Sequence, residues 1–103
     1  MRILVFPEEG RSTIAEPDDL KKFHVEVHGE GGEDDLSRAL GQLGRTEGAE
    51  HAWIFIEELL RASGRADDET WRAAFGQMVD YAASKGWTDA DGESLRAHIV
   101  AVP

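Results

Sequence analysis

The run Phe23-His24-Val25-Glu26-Val27-His28 alternates apolar and ionisable side chains at every step. Strict alternation is the mark of a β-strand with one face turned to a core. Phe23, Val25 and Val27 form the apolar face, and His24, Glu26 and His28 form an ionisable row on the other. A sheet built on this strand therefore has a floor for helices on one side and a chemically equipped surface on the other.

Working outward, Arg2 to Phe6 is a short apolar run closed by Pro7, which predicts a first strand. The stretch from Glu8 to Asp19 contains Gly10 and Pro17 and has no periodicity. It is expected to be a loop, with a short extended piece near Thr13 to Ala15 and one helical turn begun at Pro17-Asp18-Asp19. The second strand spans Lys22 to His28, and Gly29-Glu30-Gly31-Gly32 breaks it. Leu36, Leu40 and Leu43 recur at helical spacing with Ala39 between them, predicting a helix over 33–43 that Gly44 stops. Acids at 33, 34 and 35 suit the positive end of its dipole.

Trp53-Ile54-Phe55-Ile56 is aromatic and β-branched, whereas Glu57 to Ala62 consists of strong helix formers. A strand running into a short helix ended by Gly64 accommodates both halves. The longest predicted helix covers about 68–85, with Trp71, Ala74, Phe75, Met78, Val79 and Ala82 on one face. Asp67 is placed to cap it, and Gly86 is placed to end it in a left-handed turn. Trp87 follows that glycine and is expected to fold back as an apolar latch. Ser94 to Val102 is the last strand, with Leu95, Ala97, Ile99 and Ala101 on its core face. The expected fold is a single α+β domain over 1–103, with about four strands in the order β-β-α-β-α-α-β and helices on one face.

Composition excludes several classes of function. Twenty-one acidic residues against 11 basic ones give a net charge of −10, so a nucleic-acid backbone is repelled, and Lys21, Lys22, Arg61 and Arg65 are too diluted to form a basic stripe. The absence of cysteine removes disulfides, thiolate ligands and thiol nucleophiles. Apolar runs such as Ile3 to Phe6 and Ala52 to Ile56 are far below the ~20 residues needed to cross a bilayer. With no leader-like segment, a cytoplasmic location is expected. No cofactor is implied, and no catalytic residue is assigned.

Motifs that resemble sites fail on chemistry. Gly29-Glu30-Gly31-Gly32 lacks the lysine of a phosphate loop and is surrounded by acids. Asp89-Ala90-Asp91-Gly92 has its glycine too early for a calcium loop, and Val100 stands where a bidentate glutamate is required. Ser37, Ser63 and Ser94 sit in no nucleophile elbow.

The histidine row remains. Residues two apart on a strand are ~6.6 Å apart and can share a metal ion, whereas His24 and His28, ~13 Å apart on a straight strand, cannot be joint ligands. The row is thus two half-sites around Glu26, with His98 as the expected partner from another strand. Its polar alternative is a set of cross-strand pairs on a wetted sheet face. Alternation also puts His51, Trp53 and Phe55 on one face and Ala52, Ile54 and Ile56 on the other, so both faces of that strand are apolar and something must cover the second. These readings yield a candidate ligand-binding set of His24, Glu26, His28, Trp53, Arg96 and His98, with no metal assigned. The expected function is that of an acidic accessory protein acting through protein contacts, as a homodimer or on a basic partner. The alternative is a small-molecule enzyme or binder using the histidine, glutamate and arginine patch.

Overall fold

Side-chain alternation and turn chemistry place six strands and three α-helices among residues 1–102, the part of the chain the computed structural model describes. The strands are β1 (Arg2–Phe6), β2 (Arg11–Ala15), β3 (His24–His28), β4 (Gly44–Glu47), β5 (His51–Phe55) and β6 (Ser94–Val102). The helices are α1 (Glu33–Leu40), α2 (Ile56–Ser63) and α3 (Glu69–Ser84). They form an α+β fold around a mixed sheet of order β2-β1-β3-β6-β5-β4. None of the described helices is long and apolar enough to cross a membrane.

The central strands β1, β3 and β6 run parallel, and β2, β5 and β4 add antiparallel partners at the two sides. β6 joins the halves: Ser94 to His98 pair with β5, and Ile99 to Val102 pair with β3. Ile3, Val5, Val25, Ala52, Ile54, Leu95 and Ala97 are all buried, and they belong to one cluster with Leu36 and Leu40 of α1, Leu59 of α2, and Trp71 and Phe75 of α3. On the other sheet face only Glu26 and Ser94 are buried among the strand residues. Helices therefore cover one face and leave the other uncovered.

The sheet has two more strands than the periodicity predicts. β2 extends the short piece expected near Thr13 to Ala15 into a full strand within the predicted loop, because Glu9 and Gly10 close a tight turn onto Phe6 and Pro7 and fold Arg11 to Ala15 back along β1. β4 is a polar edge strand, Gly-Arg-Thr-Glu, and a strand without apolar alternation gives no signal of period two. Gly44 is needed for its close approach to β5, since a Cβ there would lie 2.1 Å from the Trp53 carbonyl oxygen. The first helix ends at Leu40 and tightens into a 3-10 turn at Gly41–Leu43. The long helix is capped by Asp68, whose carboxylate accepts from the Trp71 N–H at 3.0 Å, one residue beyond the expected Asp67.

The end of α3 follows its sequence signals. Gly86 has φ +76°, its N–H donates to the Ala83 carbonyl, and the Trp87 N–H donates to the Ala82 carbonyl at 2.9 Å. This pair of bonds is a Schellman ending. It turns the Trp87 ring toward Tyr81, edge to face at 6.0 Å. At the other end, the Trp71 indole N–H donates to the Pro17 carbonyl at 2.7 Å and ties α3 to the segment before β3.

Two glycines should respond oppositely to alanine. G44A drives a methyl group into the β5 backbone, an overpacking cost of about 2 kcal/mol, and should lower the melting temperature by roughly 10 °C. Gly76, inside α3, has open space at its Cβ position, so G76A should raise stability by about 1 kcal/mol. Thermal unfolding followed by circular dichroism checks both.

Candidate functional site

β3 places His24, Glu26 and His28 on the uncovered face, as alternation requires, and Glu26 is only 8% exposed. A carboxylate that deep needs partners. His24 Nε2 donates to Oε2 at 2.8 Å, and Arg2 Nη1 donates to both oxygens at 3.1 Å. His28 Nε2 approaches Oε1 at 3.3 Å, an ion-pair separation without hydrogen-bond alignment. The two histidines thus flank opposite oxygens of one carboxylate. The His24 bond, then the Arg2 pair, hold the Glu26 carboxyl below its ordinary 4.5, against the opposing effect of burial. Arg2 Nη2 also reaches Glu16 at 2.6 Å, and the His28 ring stacks on Phe6 at 5.3 Å.

β3 and β6 are neighbours, yet His98 is not the partner of Glu26. Parallel pairing begins at Val25↔Ile99 and sets Val100 beside Glu26. Arg2 comes from the other flanking strand, β1, where it is paired with His24. The sequence signal for Arg2 is the alternation of Arg2, Leu4 and Phe6 against Ile3 and Val5, which puts the arginine on the same face as the histidine row.

Trp53, Arg96 and His98 form a second group, nearer the β5 end of the sheet. Glu47 of β4 accepts from the Trp53 indole and from Arg96 Nη2, the latter at 2.8 Å. Those two bonds, the indole first, hold the Glu47 carboxyl below its ordinary value, again against burial. Arg45 lies over the Trp53 ring at 5.7 Å. His98 faces His51 across the β5–β6 pair, ring edge to ring face at 4.9 Å. The six candidate residues therefore fall into two clusters on one face. Among the described residues no three of the histidine and carboxylate side chains assemble into a metal-holding group.

Beside the second cluster is a cleft of about 390 Å³. His51, Arg96 and His98 form one wall, and Phe23, Tyr81 and Trp87 form much of the other. Glu26, His24 and His28 do not line it. A larger hollow of about 660 Å³ beside Phe55 is lined by Glu57, Glu58 and Glu93. No family model, curated protein or solved structure matches the chain.

Chemically, the Glu26 cluster is a staple. A carboxylate held in its ionised form by three nitrogen-bearing side chains is a weak base near neutrality, the opposite of the tuning that general catalysis needs. Because the folded-state value is depressed, Glu26 stabilises the protein above its ordinary 4.5 and loses that contribution as pH falls through the folded value. E26Q should therefore unfold at lower urea than the native chain at pH 7, with the gap narrowing toward pH 3. Trp fluorescence in urea at the two pH values reads the difference.

Proposed function

We propose that the protein works through protein contacts and that the uncovered sheet face is where it associates with a second copy of itself. The observation carrying this reading is an apolar surface with no helix over it. Leu4, Phe6, Trp53 and Phe55 are half-buried there, and Val100 is 43% exposed, one of the most exposed large apolar side chains of the described chain. A sheet face of this composition gains by being covered.

Electrostatics supports self-association. Arg2, Arg11, Arg45 and Arg96 stand on this face against Glu26 and Glu47, with Glu16 and Glu9 reaching Arg2 and Arg11 from its edge, so its charges nearly balance and the acids behind the net charge of −10 lie mostly elsewhere. Two such near-neutral faces meet without the repulsion that the whole-chain charge would suggest, and a near-neutral face offers a basic partner no net attraction, which favours a second copy. Glu26 and Glu47 are already paired within the face. Their pairing lowers the penalty for removing water from charged groups on association. The sheet edges suit association less. β4 is short and carries Arg45 and Glu47, and β2 starts at Arg11, charges that discourage strand addition.

Sedimentation equilibrium over a concentration series tests the proposal. The native chain should reach the mass of two chains at micromolar concentration. V100K, which puts a charge at an exposed position of the face without setting a second carboxylate beside Glu26, should sediment as one chain while keeping its circular dichroism spectrum and thermal melt. A native chain that stays at one-chain mass up to hundreds of micromolar would sink the reading.

A further inference from the structure

The 390 Å³ cleft inverts the charge of the molecule around it. In a chain with 21 acids and 11 bases, its lining includes Lys21, Arg96, His51 and His98 and not one aspartate or glutamate. The hollow beside Phe55, with its three glutamates, follows the overall charge; this one does not. The remaining lining is apolar: Leu20, Phe23, Met78, Tyr81 and Trp87. Tyr81 and Trp87 are 57% and 45% exposed, and with Val100 they are the most exposed large apolar side chains of the described chain. Two of the three thus flank a single cleft.

The walls are held in place by the backbone. Trp87 is turned inward by the Schellman ending of α3, and its carbonyl accepts from the Arg96 N–H at 2.8 Å. β6 is flanked on this side by Trp87 and Thr88 at Leu95 and Arg96, and by β3 from Ile99 onward. The cleft opens at the step between them, beside His98. Glu47 occupies one end of the Arg96 guanidinium, and Lys21 makes no ion pair among the described residues. Lys85, over the Tyr81 ring at 5.6 Å, adds positive charge at the rim.

We infer that this cleft binds an amphipathic organic anion: an aromatic or branched apolar body seated among Phe23, Met78, Tyr81 and Trp87, with one carboxylate directed to Lys21 and Arg96. The volume lies within the range of small-molecule sites, which are mostly apolar with a few placed polar groups. A carboxylate gains charge-assisted hydrogen bonds from ammonium and guanidinium donors. An amine of the same shape meets like charge, and an alcohol meets donors it satisfies less well.

The test is a titration of the isotope-labelled full chain with phenylbutyrate, followed by amide chemical shifts, alongside phenylbutanol and phenylbutylamine as neutral and cationic counterparts. Phenylbutyrate should give saturable shifts confined to the segments around Lys21 to Phe23, Tyr81 to Trp87 and Arg96 to His98. It should bind at least about tenfold more tightly than the alcohol, the equivalent of about 1.4 kcal/mol. K21E, which breaks no ion pair, should weaken phenylbutyrate about tenfold and leave phenylbutanol unchanged. Equal binding of all three compounds, shifts centred elsewhere, or no saturable shift at millimolar phenylbutyrate would each overturn the inference. Because Arg96 and His98 also stand on the face proposed for association, the same titration is made on V100K, so the two readings fail separately: association by sedimentation, and the cleft by the loss of saturable shifts in this variant.

Discussion

One strand has to serve two partners. β6 pairs antiparallel with β5 along Ser94 to His98 and parallel with β3 along Ile99 to Val102, and no other strand links the two sides of the sheet. Its alternation therefore sets both faces of both halves. Leu95 and Ala97 extend the buried floor formed by Ile3, Val5 and Val25, while Arg96, His98 and Val100 carry the polar and exposed face from one half into the other. A slip of one residue would turn Leu95 and Ala97 to water and bury Arg96 and His98, so the core and the uncovered face are specified together.

The hand-over along β6 also has a steric consequence. Where β3 begins its pairing at Ile99 and Thr88 ends its bridge at Leu95, the strand has a short stretch with a gap beside it. α3 contributes Met78 and Tyr81 to the lining of the space beside it, and Trp87 adds to the same lining. That space is the cleft. Its position follows from topology, and its lining combines residues far apart in sequence: Lys21 and Phe23 from the approach to β3, Tyr81 and Trp87 from the end of α3, and His51 and Arg96 from two different strands.

This origin explains which features could be read before the fold was known. The alternation of Phe23 to His28 is local, so the strand and the faces of its side chains were legible, as were the change from strand to helix after Phe55 and the ending of α3 at Gly86. Tertiary pairing supplied the rest. Arg11 to Ala15 and Gly44 to Glu47 have too few apolar positions to register as strands, and they become strands because β1 and β5 present unpaired edges to them. β3 and β6 are neighbours, but their register gives Glu26 Val100 on that side, not His98, and leaves the partnership to Arg2 from β1. Strand order is a long-range property that no periodicity encodes. The cleft, being a by-product of that order, left no sequence signal beyond an arginine and two histidines on exposed sides of strands.

The two polar clusters of the uncovered face show how similar residues come to do different work. Around Glu26 the charges are matched: the carboxylate is 8% exposed and its oxygens are engaged by His24 and Arg2, with His28 close by. Little capacity remains there for an incoming group, and a ligand would have to displace bonds already made in a poorly hydrated place, where they are strongest. At the cleft the balance is unfinished. Arg96 has a partner for one end of its guanidinium, Lys21 has no ion-pair partner among the described residues, and the neighbouring surface is aromatic and exposed. The opening row His24, Glu26, His28 is the more conspicuous pattern in one dimension, yet its groups have satisfied one another. The capacity proposed for recognising another molecule resides where the fold leaves Lys21 and one side of Arg96 beside aromatic rings, with Glu47 the one acid engaged there.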